Sequence, residues 1–549
     1  MNMKKKIPLG ITDYRRLKEN NYYVIDKTLM IRDFIESGSK VTLITRPRRF
    51  GKTLNMSMLA DFFDITKDSQ DIFQDTLIAS TPYISEMNQY PTIFISFADA
   101  KGDIINTVKV IKKELLYAYR HYDVIFHQLD KYTLPIYNSI VDGLTHFDDG
   151  KLSTITDALS FLMRCIEDYY HKKVMVFIDE YDTPFIESYV NGFYKDINSD
   201  LAVMFQSALK SSTSLQYGML TGIQRVAKEN IFSGMNNLDV CTVNDEAYSQ
   251  YFGFTEKEAE KLLNDYGLDL NQDVKDMYDG YHFCESEMYN PWSIINYADI
   301  HELISYWVNT SSNKMIRNAM KGASQNFNKD YESLIINGYL ETYVSLSTSF
   351  YEEVSDATLW GLFVNAGYLT VTKRISLMDN IMKIEIPNKE IKSEFMSLTE
   401  FFFHLEENNL NRMLRALLEG NQERFLIEYK KLLLIPSYHD LVNENSYHML
   451  LLGICLILSD QYKIESNRET GKGRCDIILH SNHDKPSFVI EFKYLKSDKE
   501  DISDELNALC NEGLQQIIDK HYDASLTGKI IHIALAHRNK DVMMKWVEK

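Results

Sequence analysis

The chain has 549 residues, 59 Lys and Arg against 78 Asp and Glu, and a formal net charge of −19. At 45% hydrophobic and 12% aromatic residues, with 10 prolines, disorder and a turn-rich sandwich or barrel are excluded, and the length suits several cores of about 150 residues each. The apolar run Met449–Leu458 is half the ~20 residues a membrane-spanning helix needs, and Ile7–Ile11 behind Lys4–Lys6 is too short for a secretory signal.

The six cysteines are dispersed without a Cys-x-x-Cys pair, so neither a disulfide framework nor a cysteine zinc site is expected, and the expected setting is cytoplasmic, with no membrane partner. The acidic total hides an asymmetry. Residues 1–60 carry +8, residues 61–440 carry −24 and residues 441–549 carry −3.

In chain order, strand candidates at Val41–Thr45, Thr92–Phe97, Val174–Ile178 and Leu215–Thr221 alternate with helical stretches at Thr53–Phe63, Ile104–Tyr119 and Ile155–Tyr170. This alternation predicts an α/β domain over 1–245, a parallel sheet with helices on both faces. Thr255-Glu-Lys-Glu258 is a capping box opening a short helix that ends near Gly267, and Asn411–Leu434 predicts a helix pair broken near Gly420. Residues 246–435 are thus expected to be a mostly helical middle region. The block 436–549 holds a helix (Asn445–Ser459), two strands (Cys475–His480, Phe488–Phe492), a helix (Asp504–Asp519) and a strand (Lys529–Ala536). That order, α–β–β–α–β, predicts a second compact α/β unit.

The first chemistry-bearing segment is Arg46-Pro-Arg-Arg-Phe-Gly-Lys-Thr53, between a strand and a helix. It resembles a Walker A phosphate loop, with Arg46 in place of the first glycine. Backbone N–H groups of such a loop face phosphates, Lys52 reaches the β- and γ-phosphates, and Thr53 binds Mg²⁺. Arg49 and Gly51 are further candidate nucleotide-binding positions. The buried strand ending in Asp179-Glu180 resembles Walker B, 126 residues beyond Thr53. Asp179 would hold the Mg²⁺ shell and Glu180 would orient the attacking water. Thr221, at the end of a further strand, is a candidate γ-phosphate sensor, and Arg225 a charge-neutralising arginine.

The second segment is the pair Arg474–His480 and Ser487–Lys493. Folded as a hairpin centred between His483 and Asp484, it sets Asp476 opposite Glu491, with Lys493 on the same face. Opposed side chains lie about 5 Å apart. Two adjacent carboxylates suit a hard cation such as Mg²⁺, with Mn²⁺ as a substitute, and Lys493 would position or activate water. Glu444 is a candidate third metal ligand, and Gln516 a candidate for orienting water or substrate. The nearby His448 reads as a hydrogen-bonded core residue.

These constellations, together with Tyr23–Thr28, Leu220-Thr-Gly222, Tyr278-Asp-Gly-Tyr-His282, Tyr289-Asn-Pro-Trp292, Gly473–Asp476 and Gly513–Ile517, resemble a bacterial family joining an AAA-ATPase-like domain to a C-terminal PD-(D/E)XK nuclease-like domain. The resemblance implies Lys52 and Thr53 as nucleotide ligands, Asp179 and Glu180 as the Walker B pair, Asp476, Glu491 and Lys493 as the nuclease core, and Mg²⁺-dependent phosphodiester hydrolysis. The expected function is an ATP-binding, ATP-hydrolysing protein acting on nucleic acid, DNA in preference to RNA. The rivals are a nucleotide-dependent switch that binds without cutting and a signalling ATPase that oligomerises on ligand sensing.

Overall fold

Runs of Val, Ile, Leu and Phe without polar alternation suit strands covered on both faces, and in a computed structural model the four expected runs of residues 1–245 join one parallel sheet. The structure describes residues 5–225, 238–307, 312–321, 323–347, 355–376, 380–402, 407–434, 444–455, 458, 461–470, 473–481, 485–497, 499 and 501–549. Strands β1 (Val41–Thr45), β2 (Thr92–Ser96), β3 (Val174–Asp179), β4 (Leu215–Gly222) and β5 (Leu238–Cys241) lie in the order β2-β3-β4-β1-β5, every pair parallel. The short, partly exposed edge strand β5 was not expected. Helices Lys52–Phe63, Ile104–His121 and Ala158–Tyr170 form the crossovers. Their apolar residues, among them Leu115 and Leu162, close a core with Ile93, Val176 and Ile178. All strands are parallel, so their carboxyl ends share one edge, where ligands of open α/β sheets bind.

The chain folds as two compact units, one of Met1–Ala319 with Tyr339–Ile391 and a second of Met320–Gly338 with Lys392–Lys549. Segment 246–435 is therefore shared between them. The expected capping box at Thr255 and Glu258 forms, and so does the helix pair Glu407–Leu418 and Gln422–Leu433 around Gly420. The helical middle region also carries a hairpin, β6 (Tyr281–Phe283) with β7 (Ser286–Met288), and an antiparallel sheet of β8 (Tyr339–Tyr343), β9 (Thr370–Ser376) and β10 (Ile381–Glu385), ordered β8-β10-β9. Helix Asp356–Ala366 crosses the end of this sheet so closely that a Cβ on Gly361 would lie 1.8 Å from the Ser345 carbonyl oxygen. Gly361→Ala is expected to cost at least ~3 kcal/mol, more than common overpacking. Urea unfolding checks this, and an unchanged midpoint would show that the Ser345 segment yields freely.

In the second unit, β11 (Tyr462–Thr470), β12 (Gly473–Ser481), β13 (Ser487–Tyr494), β14 (Ile530–Arg538) and β15 (Asp541–Glu548) form one sheet in chain order. All pairs are antiparallel except β13 with β14. The expected α–β–β–α–β order is present as helix Glu444–Cys455, β12, β13, helix Ser503–Lys520 and β14, with β11 and β15 added at the edges. Phe488, Ile490 and Phe492 pack on the face of helix Glu444–Cys455, while Val489 packs with Ile517 of helix Ser503–Lys520 on the other. Odd-numbered residues of β13 thus face helix Ser503–Lys520.

Within that sheet, on β14, His537 is fully buried, with its Nε2 3.0 Å from the Tyr429 hydroxyl and its ring stacked 4.0 Å from Tyr447. Burial pushes its imidazole down to about 3. The folded state therefore keeps His537 neutral, whereas the unfolded chain protonates it near pH 6.5. The stability this supplies is full above that pH and is lost as pH falls from about 6.5 toward 3. At pH 5 the expected loss from this group alone is about 2 kcal/mol. Carboxyls raised by burial, Glu491 among them, act in the opposite sense, so the readout is a difference: between pH 7 and pH 5, urea unfolding should show the stability of wild type changing about 2 kcal/mol less favourably than that of His537→Phe.

Candidate functional sites

The loop after β1 turns at Arg49 (φ +68°) and Gly51 (φ +82°), not at Arg46. Arg46 stands where the motif usually has glycine, yet it needs no left-handed backbone. Its side chain is fully buried, and its guanidinium donates to the carbonyl oxygens of Thr45 (3.0 Å), Cys241 (3.1 Å) and Ala247 (3.4 Å) while facing the Phe283 ring at 5.2 Å. Burial pushes it down to about 10. Arg46 thus braces the loop from beneath. At Gly51 an added Cβ would meet nothing, so the positive φ alone calls for glycine. Arg49 holds the same kind of conformation without that freedom, at a cost of about 1–2 kcal/mol. Its guanidinium lies 4.0 Å from the centre of the Trp292 ring, a contact worth about 0.5–2 kcal/mol.

Lys52, 5% exposed, donates from Nζ to the carbonyl oxygens of Arg46 and Pro47, 3.0 Å each. Burial lowers its pKa, against the opposing pull of Glu180, Asp179 and Asp182. Asp179, fully buried, accepts from Thr53 Oγ1 (2.7 Å) and Ser96 Oγ (3.2 Å) at Oδ2 and from Thr221 Oγ1 (2.6 Å) at Oδ1. One carboxylate therefore ties the ends of β2 and β4 to the first turn of the helix after the loop. Register explains the convergence: Ser96 pairs with Asp179, and Leu220 with Ile178, one residue before the Thr221–Asp179 contact. Burial raises the Asp179 pKa, Glu180 adds to this, and Thr221, Thr53 and Lys52 oppose it.

Glu180 adopts φ +48° and accepts from Thr183 Oγ1 at 3.1 Å. Arg225 stands three residues beyond β4. Residues that sequence reasoning left without a role complete this edge. Ser96 is one. Asp182 is another, its Oδ2 accepting the N–H groups of Ile223 and Gln224 at 2.8 Å each, with burial pushing it up to about 6. A Cβ on Gly222 would lie 2.6 Å from Asp182 Oδ1, which accounts for the Thr-Gly pair ending β4. Thr53 and Asp179 offer oxygen donors in contact beneath the loop, a donor set that fits Mg²⁺.

In the second unit, Ile477 pairs with Ile490 and Leu479 with Phe488, the register that sets Asp476 opposite Glu491. The expected turn residues His483 and Asp484 lie outside the described residues. Asp476 accepts the Phe492 N–H at 2.7 Å. Lys493 Nζ donates to Glu491 Oε1 (3.0 Å) and to Gln516 Oε1 (2.9 Å), and Gln516 Nε2 donates back to Glu491 Oε1. Gln516 reaches this triangle from helix Ser503–Lys520 because Gly513, one turn earlier, lets the helix close on the strand: a Cβ there would lie 3.1 Å from Ala534 Cβ. Gln516 Nε2 also donates to the Tyr522 hydroxyl (3.1 Å), a neighbour the sequence did not reveal. His448 is buried, its Nε2 2.8 Å from Ser466 Oγ and 3.0 Å from the Asp476 carbonyl oxygen, as a core histidine would be.

Glu491 is 2% exposed, and among the described residues its Oε2 has no hydrogen-bond partner. Burial first, then the neighbouring Asp476, pushes its carboxyl up to about 7, with Lys493 opposing. Glu444, exposed at the start of its helix, is also raised, by partial desolvation first and then by Asp476, with Lys493 opposing. Among the described residues no three His, Cys, Asp or Glu side chains enclose a metal position by themselves. An open carboxylate pair with one orphaned buried oxygen nonetheless fits Mg²⁺, which keeps several waters and takes few protein ligands.

A family model described as a predicted AAA-ATPase matches residues 8–232, and a model of the PD-(D/E)XK nuclease superfamily matches residues 442–547. An uncharacterized protein in the vnfD 5′ region of Azotobacter chroococcum mcd 1 is 26% identical over 399 residues, 71% of this chain and 69% of that protein. The crystal structure of a Signal Transduction ATPase with Numerous Domains, bearing a tetratricopeptide repeat sensor, from Pyrococcus horikoshii aligns with 80% of this chain and 58% of its own, at 12% identity and a TM-score of 0.20.

Proposed function

We propose, for a chain that carries an AAA-ATPase-like domain at 8–232 and a PD-(D/E)XK nuclease superfamily domain at 442–547, that ATP binding and hydrolysis in the first control Mg²⁺-dependent cleavage of nucleic acid, DNA in preference to RNA, by the second. The observation that carries the reading is the triangle of Glu491, Lys493 and Gln516 with Asp476 opposite, on one sheet face. Asp476 and Glu491 would hold the cation, with Glu444 at their margin and Mn²⁺ as a substitute. When bound, it supplies charge stabilisation for an anionic phosphoryl transition state. Lys493, fixed by Gln516, holds a water or a phosphate oxygen beside that pair, and Glu491 Oε1 keeps the lysine charged.

In the first domain Lys52 neutralises the β- and γ-phosphates, while Thr53 and Asp179 hold the Mg²⁺ that accompanies ATP. Glu180 orients water, Thr221 senses the γ-phosphate, and Arg225 neutralises charge there. A cytoplasmic setting accords with six free cysteines, and among the described residues no helix is long and apolar enough to cross a membrane.

The test is a panel of single- and double-stranded DNA and RNA incubated with Mg²⁺ or Mn²⁺, with and without ATP, using Lys52→Ala and Glu491→Ala as controls. Metal-dependent cleavage that responds to ATP in wild type and vanishes in Glu491→Ala supports the reading. Cleavage of every substrate at wild-type rate by Glu491→Ala overturns it. One observation favours a second reading, a nucleotide switch that binds without cutting: residues 441–549 carry a charge of −3, where phosphate-backbone binders cluster Lys and Arg. ATP hydrolysis with the whole panel intact would favour the switch.

A further inference from the structure

Two sequence motifs remain without a role in the nucleotide or nuclease chemistry, Tyr278-Asp-Gly-Tyr-His282 and Tyr289-Asn-Pro-Trp292. Both lie against the phosphate loop. Phe50 meets the Tyr281 ring edge-on at 4.9 Å and the Phe283 ring at 5.1 Å, and Pro47 lies where a Cβ on Gly367 would come within 2.9 Å of its own. The Tyr281 hydroxyl donates to the Gly367 carbonyl oxygen at 2.9 Å, joining these supports.

Phe283 faces the Arg46 guanidinium, but Trp292 stands apart because the arginine on its ring, Arg49, is the one that carries the left-handed turn of the loop. Its ring is fixed independently of the loop: Nε1 donates to the Tyr306 carbonyl oxygen at 2.9 Å, and its backbone N–H donates to Asn290 Oδ1, the helix cap, at 2.9 Å. Arg49 lies over this fixed ring at 4.0 Å, and among the described residues its buried Nε has no hydrogen-bond partner. The same residue holds the left-handed turn of the loop, a conformation glycine adopts freely and arginine does not.

We propose that Trp292 is a positioning residue for nucleotide binding: its ring, by holding the Arg49 side chain, keeps the phosphate loop in the left-handed turn that presents backbone N–H groups to phosphates. The inference rests on the nucleotide-binding reading above and adds to it a residue far along the chain that acts through Arg49. It also makes the occupancy of the loop mechanically continuous with the Asn290-capped helix of the middle region.

The test is calorimetric titration of the full chain with ATP and Mg²⁺, for wild type and for Lys52→Ala, Trp292→Leu, Trp292→Phe, Arg49→Gly and Arg49→Gly/Trp292→Leu. Trp292→Leu, which keeps apolar bulk but loses the ring, is expected to weaken ATP binding about fivefold, ~1 kcal/mol. Trp292→Phe, which keeps a ring but loses the indole N–H, should stay within about twofold of wild type. In the Arg49→Gly background, where the turn needs no support, Trp292→Leu should change nothing.

Three outcomes overturn the proposal. Trp292→Leu binds as wild type does, Trp292→Phe loses as much as Trp292→Leu, or the loss is equal in both backgrounds, as it would be if the substitution merely disrupted the fold. Wild type that binds no ATP, or Lys52→Ala that binds it equally well, instead overturns the nucleotide reading itself.

Discussion

Glu491→Gln is expected to lower metal-dependent cleavage by about 10³-fold or more, ~4 kcal/mol of transition-state stabilisation, while making the second unit more stable. The two effects have one cause. Glu491 is buried beside a second carboxylate with one oxygen unpartnered, an arrangement that costs folding energy in the absence of a cation. Glutamine keeps the volume and the contact with Lys493 through its amide oxygen, but it removes the like charge and the negative ligand. Losing the attraction to Lys493 subtracts from the gain, leaving ~1 kcal/mol. Cleavage rates in Mg²⁺ and Mn²⁺ and urea midpoints read by Trp546 measure both halves. Cleavage at the wild-type rate would remove the cluster from the chemistry, and a lower midpoint would show that the carboxylate is there to support the fold. Gln516→Ala should fall between the two, about 10- to 100-fold down, because Gln516 orients ligands without being one.

What the sequence disclosed of these sites follows from how far apart the participants lie. The hairpin register was legible because two apolar runs flank a short polar stretch, and equal distance from its centre sets Asp476 against Glu491; Ile477 with Ile490 shows that register. The phosphate loop and Asp179 were legible because strand, loop and helix follow one another in the chain. Strands β11 and β15, with Glu465, Arg468 and Glu469 in one and Asp541, Lys545 and Glu548 in the other, lacked a buried run and became strands only by pairing at sheet edges. The same holds for β8, where Tyr339 and Tyr343 are exposed. Least legible were pairs made by tertiary folding alone: Asp182 with Ile223 and Arg49 with Trp292. Each side chain has ordinary neighbours in sequence and acquires its role only from a strand or helix arriving from elsewhere.

The second large effect is expected at Lys52. Lys52→Ala should weaken ATP binding by at least about 100-fold, ~2.7 kcal/mol, and abolish hydrolysis. Lys52 Nζ is held by the Arg46 and Pro47 carbonyl oxygens, so it sits on the loop and, among the described residues, pairs directly with no carboxylate. A triphosphate offers stronger acceptors than two neutral carbonyls, which makes the lysine a cation already placed for phosphate. Asp179, Glu180 and Asp182 all act on it through their charge. Its removal leaves three carboxylates without their shared cation, so anionic phosphates meet a site that repels them. Asp179→Asn should behave differently: it keeps the side-chain volume and one oxygen acceptor, for either Thr53 or Thr221 but not both, and loses the charge that suits Mg²⁺, so it is expected to spare nucleotide binding more than hydrolysis. Equilibrium binding and phosphate release, measured for both variants, check the distinction. Equal losses in binding would show that Asp179 supports the loop and not the metal. The decisive comparison is cleavage by Lys52→Ala. Activity that no longer responds to ATP, yet still needs Glu491, would mean that the first domain governs the second; activity unchanged in its response to ATP would mean that the nucleotide acts elsewhere.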